Sequence, residues 1–125
     1  MAGGLRFRSE STLVSSKGTN YTVAGSPIVI VPASTVAGSP LSGIQRAGIY
    51  KVVIEAIAAT TIQFQDSGPN ILSAQFSLGA LGFFILDVPI NGDPWWQATQ
   101  AGLGLQLLLT GTGPVAADIW WAPGA

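Results

Sequence analysis

Apolar and polar residues alternate with a period of two along most of this chain, which is the pattern of a β-strand with one buried face. In residues 50–56 the apolar side chains occupy the even positions, while Lys51 and Glu55 occupy odd ones. Residues 61–66 repeat the alternation, which predicts that Ile62 and Phe64 point inward and that Gln63 and Gln65 point outward.

Further strands are predicted wherever the same alternation, or a short β-branched run, lies between Gly, Pro, Asn or Asp residues typical of turns. They are residues 28–31, 72–78, 83–88, 95–96, 103–109 and 115–121, with short edge strands at 5–8 and 21–23. No stretch has a helical stripe. Eight or nine short strands with regular turns predict an all-β fold, an antiparallel β-sandwich or barrel.

The chain divides into two regions by composition. Residues 1–40 are rich in Ser, Thr and Gly, and we expect an extended N-terminal arm and edge segments there. Residues 41–125 hold most of the alternating apolar positions and form the predicted sandwich body. A length of 125 residues suits one domain with one core.

Two missing residue types restrict the chemistry of the protein. The chain has neither Cys nor His, which excludes disulfides, thiolate nucleophiles, zinc sites that need these ligands, and triads built on His. Carboxylate pairs, or a calcium site on Asp87, Asn91 and Asp93, remain chemically possible, although a turn at residues 91–94 explains these residues better. We expect no enzyme, no catalytic residue, no cofactor and no metal site.

Charge is sparse and unevenly distributed. Only 9% of the residues are charged, well below the roughly one quarter of an average soluble domain. All five bases lie before Val52 with Glu10 as the single acid, a local balance of +4, and the remainder carries five acids and no base. The basic first segment is thus predicted to contact an acidic neighbour. Nucleic-acid binding is not expected, because Arg6 and Arg8 are too few for a phosphate footprint.

No targeting segment or membrane span is predicted. The N-terminus lacks the apolar run of a signal peptide, so we expect a protein that is not exported by one. Residues 94–117 are free of charge, yet they contain Gln, Thr, Gly and Pro residues that a spanning helix would have to bury in lipid.

Four tryptophans occur as two adjacent pairs, Trp95 with Trp96 and Trp120 with Trp121. Neighbours on a strand face opposite sides, so one member of each pair is predicted to fill the core and the other to point outward. An exposed Trp anchors a protein interface or stacks on a sugar ring. The scarcity of polar residues nearby favours the interface.

Large apolar residues also fall at positions predicted to face solvent, namely Phe83, Ile85 and Leu108. Together they predict an exposed apolar patch, and such patches mark association surfaces. We therefore expect a stable homo-oligomer.

Residues 44–121 resemble a family of bacteriophage capsid decoration, or cement, proteins with a jelly-roll-like β-sandwich. The resemblance rests on Gly-Ile-Tyr-Lys-Val-Val-Ile at 48–54, Thr-Ile-Gln-Phe-Gln-Asp at 61–66, the strand at 83–89, and Trp-Trp-Gln-Ala-Thr-Gln-Ala-Gly at 95–102 before an alternating Leu strand. Similar phage sequences carry a Gly-Trp-Phe-like pair, where this chain has Pro94 before Trp95 and Trp96.

The resemblance implies a non-enzymatic virion structural protein, made in the host bacterial cytoplasm and located on the outer capsid surface. Its partners would be the major capsid protein and itself, as a dimer or trimer, with no nucleic acid and no membrane. Alternatives are a tail- or fibre-associated phage domain and a lectin-like carbohydrate-binding module. The candidate interface residues are Arg6, Phe7, Arg8, Phe83, Ile85, Trp95, Trp96, Leu108 and Trp120.

Overall fold

The structure is a computed structural model that describes residues 14–21, 27–111 and 115–124, the first of these ranges through its backbone. Within these ranges there are nine strands and no helix. The strands are β1 (Val14–Tyr21), β2 (Ile28–Val31), β3 (Arg46–Ala56), β4 (Thr60–Asp66), β5 (Phe76–Leu78), β6 (Phe83–Leu86), β7 (Trp96–Gln97), β8 (Leu105–Leu109) and β9 (Val115–Gly124).

The strands form two antiparallel sheets. One, here called the β3 sheet, has the order β1-β9-β3-β6, and β7 also pairs with β3. The other, the β4 sheet, has the order β2-β8-β4-β5. Aromatic side chains join the two layers: Phe64 of β4 stacks on Trp96 of β7 with ring centroids 5.0 Å apart, and Phe76 of β5 meets Phe84 of β6 at 4.6 Å. The prediction of an all-β antiparallel sandwich is confirmed.

The connectivity is that of a rolled ribbon. Strand β1 pairs with β9, β2 with β8, β3 with β6 and β4 with β5, so the pairs are nested one inside another along the chain. The pairings of β3 with β9 and of β4 with β8 then close the roll. Eight strands in this order form a jelly roll, and β7 is a short addition to it.

The core lies where the inner faces of the two sheets meet. Alternate residues of β3, β8 and β9 are buried there, as the period of two predicts. The predicted inward residues that are almost fully buried are Tyr50, Val52, Ile54, Ala56, Ile62, Phe64, Leu105, Leu107, Leu109, Val115, Ala117, Ile119 and Trp121. Ile49 and Tyr50 are both buried, because the register between β3 and β9 shifts at this point.

The predicted strand at 72–78 is shorter in the structure. Only Phe76–Leu78 is regular, and before it the chain bulges beside β4. Ser73 rather than Ala74 is buried, because its hydroxyl accepts a hydrogen bond of 2.9 Å from the amide of Phe64. Gln65, predicted to be outside, is also buried, and its side-chain amide donates to Gln106 at 2.5 Å.

Two strands lie within residues 1–40, where the sequence predicts an N-terminal arm and edge segments. Strands β1 and β2 are indeed at sheet edges, next to β9 and β8 respectively. The predicted edge strand at 5–8 lies outside the described residues, as do the rest of residues 1–13 and all but the first residue of the predicted strand at 21–23.

Candidate interaction surfaces

The outer face of the β3 sheet carries a mixed apolar and charged surface across three neighbouring strands. Phe83 and Ile85 of β6 have 59% and 60% of their surface exposed, whereas the alternate residues Phe84 and Leu86 pack against the core. The eight outward side chains, here called the sheet surface, are Lys51, Val53, Glu55, Phe83, Ile85, Ala116, Asp118 and Trp120.

Register arranges the sheet surface in three rows across the strands. The first row holds Phe83, Glu55 and Ala116, the second Ile85, Val53 and Asp118, and the third Lys51 and Trp120. Side chains in one row are cross-strand neighbours and contact one another. The three rows therefore form one continuous surface rather than isolated exposed residues.

The third row is held by a cation–π contact. The Lys51 ammonium lies 4.9 Å from the centre of the Trp120 ring, a distance at which the ring face attracts a cation. Trp120 is half-buried, and its neighbour Trp121 is in the core, so this pair has one tryptophan inside and one outside as predicted.

The first row borders a shallow hollow of about 190 Å³. Its lining includes Glu55, Phe83 and Asp118, together with Ala116, whose small side chain fills little space. The hollow thus combines an apolar floor with two carboxylates.

A second exposed apolar surface lies on the loop of residues 87–95, which connects β6 to β7, and both of these strands pair with β3. Ile90 is 93% exposed and Trp95 is 43% exposed. Trp95 lines a concavity of about 480 Å³ with Asp87, Val88, Pro89, Ile90 and Asn91. We call residues 87–95 the loop surface.

Hydrogen bonds hold the loop surface at both ends and at its tip. The backbone amide of Trp95 donates to Ile49 O at 2.8 Å, and its indole Nε1 donates to Asp87 O at 2.7 Å. Gly92 has a φ of +83°, which suits glycine, and its amide donates to Pro89 O at 3.3 Å. The loop is therefore fixed to the sheet while its apolar side chains face outward.

The remaining predicted interface residues lie elsewhere. Trp96 points inward against Phe64 and is not a surface anchor. Leu108 is half-buried on the outer face of the β4 sheet, opposite Gln63 in register, so it is not part of a patch with Phe83 and Ile85. Arg6, Phe7 and Arg8 lie outside the described residues.

Ile90 is the most exposed large residue of these surfaces, and it was not among the residues predicted from the sequence. The signal was present, because an isoleucine between Pro89 and an Asn-Gly turn has no strand to bury it. The contributions of Val53 and Ala116 were less visible, since they depend on which strands become neighbours.

One buried carboxylate organises the end of the sandwich where β4 stops. Burial opposes ionisation of Asp66, but hydrogen bonds from the Thr99 hydroxyl, the Thr99 amide and the amides of Asn70 and Gly68 outweigh it and hold the pKa of Asp66 below its ordinary value. The same carboxylate accepts a bond of 2.9 Å from the Asn70 side chain. Asp66 thereby ties the connection after β4 to the connection after β7.

In comparisons with known proteins, no protein-family model, no curated protein and no solved structure matches this chain. Across the described part of the chain, no helix is long and apolar enough to cross a membrane. In the same residues no group of three or more acidic, His or Cys side chains is placed to hold a metal ion.

Proposed function

We propose that this protein is a virion structural protein, a capsid decoration or cement protein that binds the outer capsid surface and bridges major capsid protein subunits. The observation that carries the proposal is that one rigid sandwich exposes apolar side chains on two separate surfaces. A cement protein must hold a neighbour as well as the shell, and exposed apolar patches mark association surfaces. The jelly-roll strand order and the sequence resemblance to phage decoration proteins agree with this role.

The loop surface is the proposed contact with the shell. Ile90 projects from the tip, and the Trp95 ring forms one wall of the concavity behind it. Because hydrogen bonds already fix the loop, little conformational entropy is lost when it docks. A small apolar contact then suffices at each site, since copies that are linked on a shell bind with avidity.

Co-sedimentation with undecorated capsids of the phage that encodes the protein tests this proposal. The wild-type protein should pellet with the shells and saturate, and Ile90→Asp should weaken binding at least tenfold. The matched control is Ile44→Asp, because Ile44 is 86% exposed on a different loop. A wild-type protein that does not pellet with the shells would contradict the proposed function. Equal loss of shell binding in both variants would contradict the proposed contact.

A lectin-like role is the second candidate, favoured by the lining of the concavity beside Trp95. Asp87 and Asn91 border it together with the exposed ring, and sugar sites combine aromatic and polar groups of this kind. However, the Asp87 and Asn91 side-chain oxygens already accept hydrogen bonds from the amides of Val88 and Asp93. A glycan panel with wild-type protein and Trp95→Ala supports this role only if a signal appears and the substitution removes it.

A further inference from the structure

The sheet surface is arranged so that it complements itself. Lys51 and Glu55 lie on the same face of β3, four residues apart, which is about 13 Å along a strand. That separation is too large for Lys51 and Glu55 of the same chain to form an ion pair with each other. Trp120 projects beside Lys51 at one end of the surface, and the hollow next to Ala116 lies beside Glu55 at the other end.

A two-fold axis that lies across the strands near Val53 exchanges the two ends of this surface. It places Lys51 of each copy opposite Glu55 of the other, and Trp120 opposite the hollow at Ala116. An interface of this type uses the same patch twice, and every contact in it is made twice. One rotation thus pairs Lys51 with Glu55 by charge and Trp120 with the hollow by shape.

We propose that the sheet surface binds the sheet surface of a second copy of this chain, face to face, about such an axis. The proposal deepens the proposed function by naming the surface that joins two copies, and its experiment needs no capsid. Ile85 and Val53 lie at the axis and form the apolar centre of the contact, while Phe83 lies in the end row with Glu55. Sheets packed face to face are about 10 Å apart. Toward the margins of the contact, Lys51 of each copy lies against Glu55 of the other.

One contact opposes the arrangement. Asp118 lies in the central row, so the axis brings the two Asp118 side chains toward each other. The rotation also places Lys51 of the opposite copy one row from each Asp118, and its positive charge offsets part of the repulsion between the two acids.

The surface spans three strands, which puts it at the small end of protein interfaces. The dimer is therefore expected to dissociate on dilution, and sedimentation velocity over a range of protein concentrations measures it. Wild-type protein should shift from monomer to dimer as its concentration rises. A wild-type protein that stays monomeric at every concentration would overturn the proposal.

A charge exchange tests the orientation. Lys51→Glu and Glu55→Lys each put like charges opposite one another and should raise the dissociation constant at least tenfold. The double variant Lys51→Glu/Glu55→Lys restores opposite charges and should recover the dimer. Single variants that dimerise like wild type, or a double variant no better than the singles, would overturn the two-fold arrangement.

An apolar pair tests the choice of face. Ile85→Glu should abolish dimerisation, and Val29→Glu should not, because Val29 is 52% exposed on an edge strand of the opposite sheet. Near-ultraviolet circular dichroism checks that each variant is folded. If Ile85→Glu does not fold, Ile85→Ser is used in its place. Persistent dimers in the Ile85 variant would overturn the proposal, whatever the protein does with shells.

Discussion

The indole Nε1 of Trp95 donates a hydrogen bond of 2.7 Å to the backbone carbonyl of Asp87, and so closes the loop that carries Ile90. The Trp95 ring therefore has a structural role in the loop as well as an exposed face. It fixes the loop from within, while part of its surface remains open to a partner.

Replacement of Trp95 by Phe should therefore loosen this loop without unfolding the sandwich. The variant loses one hydrogen bond, which is worth about 1 kcal/mol in the free energy of unfolding. Hydrogen exchange should become faster at the amides of residues 87–95 and stay unchanged in β8 and β9. Trp120→Phe is the matched control, and a loop equally protected in both variants would contradict the role of the indole N–H.

Asp66 should make the stability of the fold depend on acid. Because its folded-state pKa is lowered, its contribution is complete above the unfolded value of about 3.9 and is lost as the pH falls through the folded-state pKa. Asp66→Asn should lower the free energy of unfolding at pH 7 by about 2–3 kcal/mol, since a charged acceptor of several hydrogen bonds is lost.

Urea unfolding from pH 7 to pH 2 measures both effects. The difference between wild type and Asp66→Asn should shrink as the pH falls below the ordinary Asp value. Asp93→Asn, at an exposed loop position, is the control and should behave like wild type. A difference that is constant over the whole pH range would contradict the role given to the Asp66 carboxylate.

Two phenylalanines test which face of each sheet is inside. Phe64 is fully buried and stacks on Trp96, so Phe64→Ala should cost about 3–5 kcal/mol of unfolding free energy. Phe83→Ala, on the sheet surface, should change it by less than about 0.5 kcal/mol. Thermal unfolding of the two variants compares them, and similar losses would contradict the assignment of the faces.

Gly48 should not tolerate a side chain, because Pro94 packs directly over it. A Cβ added at Gly48 would lie 2.8 Å from the Pro94 Cβ, well inside van der Waals contact. Gly48→Ala should therefore destabilise the fold by about 1–3 kcal/mol and disturb the end of the loop surface. Gly79→Ala is the control, because a Cβ added at Gly79 has no atom within 4 Å. Equal melting temperatures of the two variants would contradict this packing.

Strand patterns were predictable wherever one face of a strand is buried and the other is solvated. The alternation in β3, β8 and β9 gave the inward residues correctly, since a shift of one residue would expose the whole apolar set. The bulge that buries Ser73 was not predictable, because it depends on a hydrogen bond from the Phe64 amide of β4 to the Ser73 hydroxyl, which the alternation of apolar and polar residues does not encode.

The composition of the surfaces was harder to predict, because it depends on which strands become neighbours. The alternation along each strand predicts that Phe83 and Leu108 point outward, but it does not show that they lie on different sheets. The charge split between the two parts of the sequence is likewise not a split in space, since Lys51 and Glu55 share one face of β3.

A difference map from cryo-electron microscopy of capsids with and without added protein shows directly whether the protein decorates the shell. We expect extra density on the outer surface of the shell that fits the sandwich, with the loop of residues 87–95 turned toward the major capsid protein. Capsids incubated with saturating protein that show no extra density on their outer surface would contradict it.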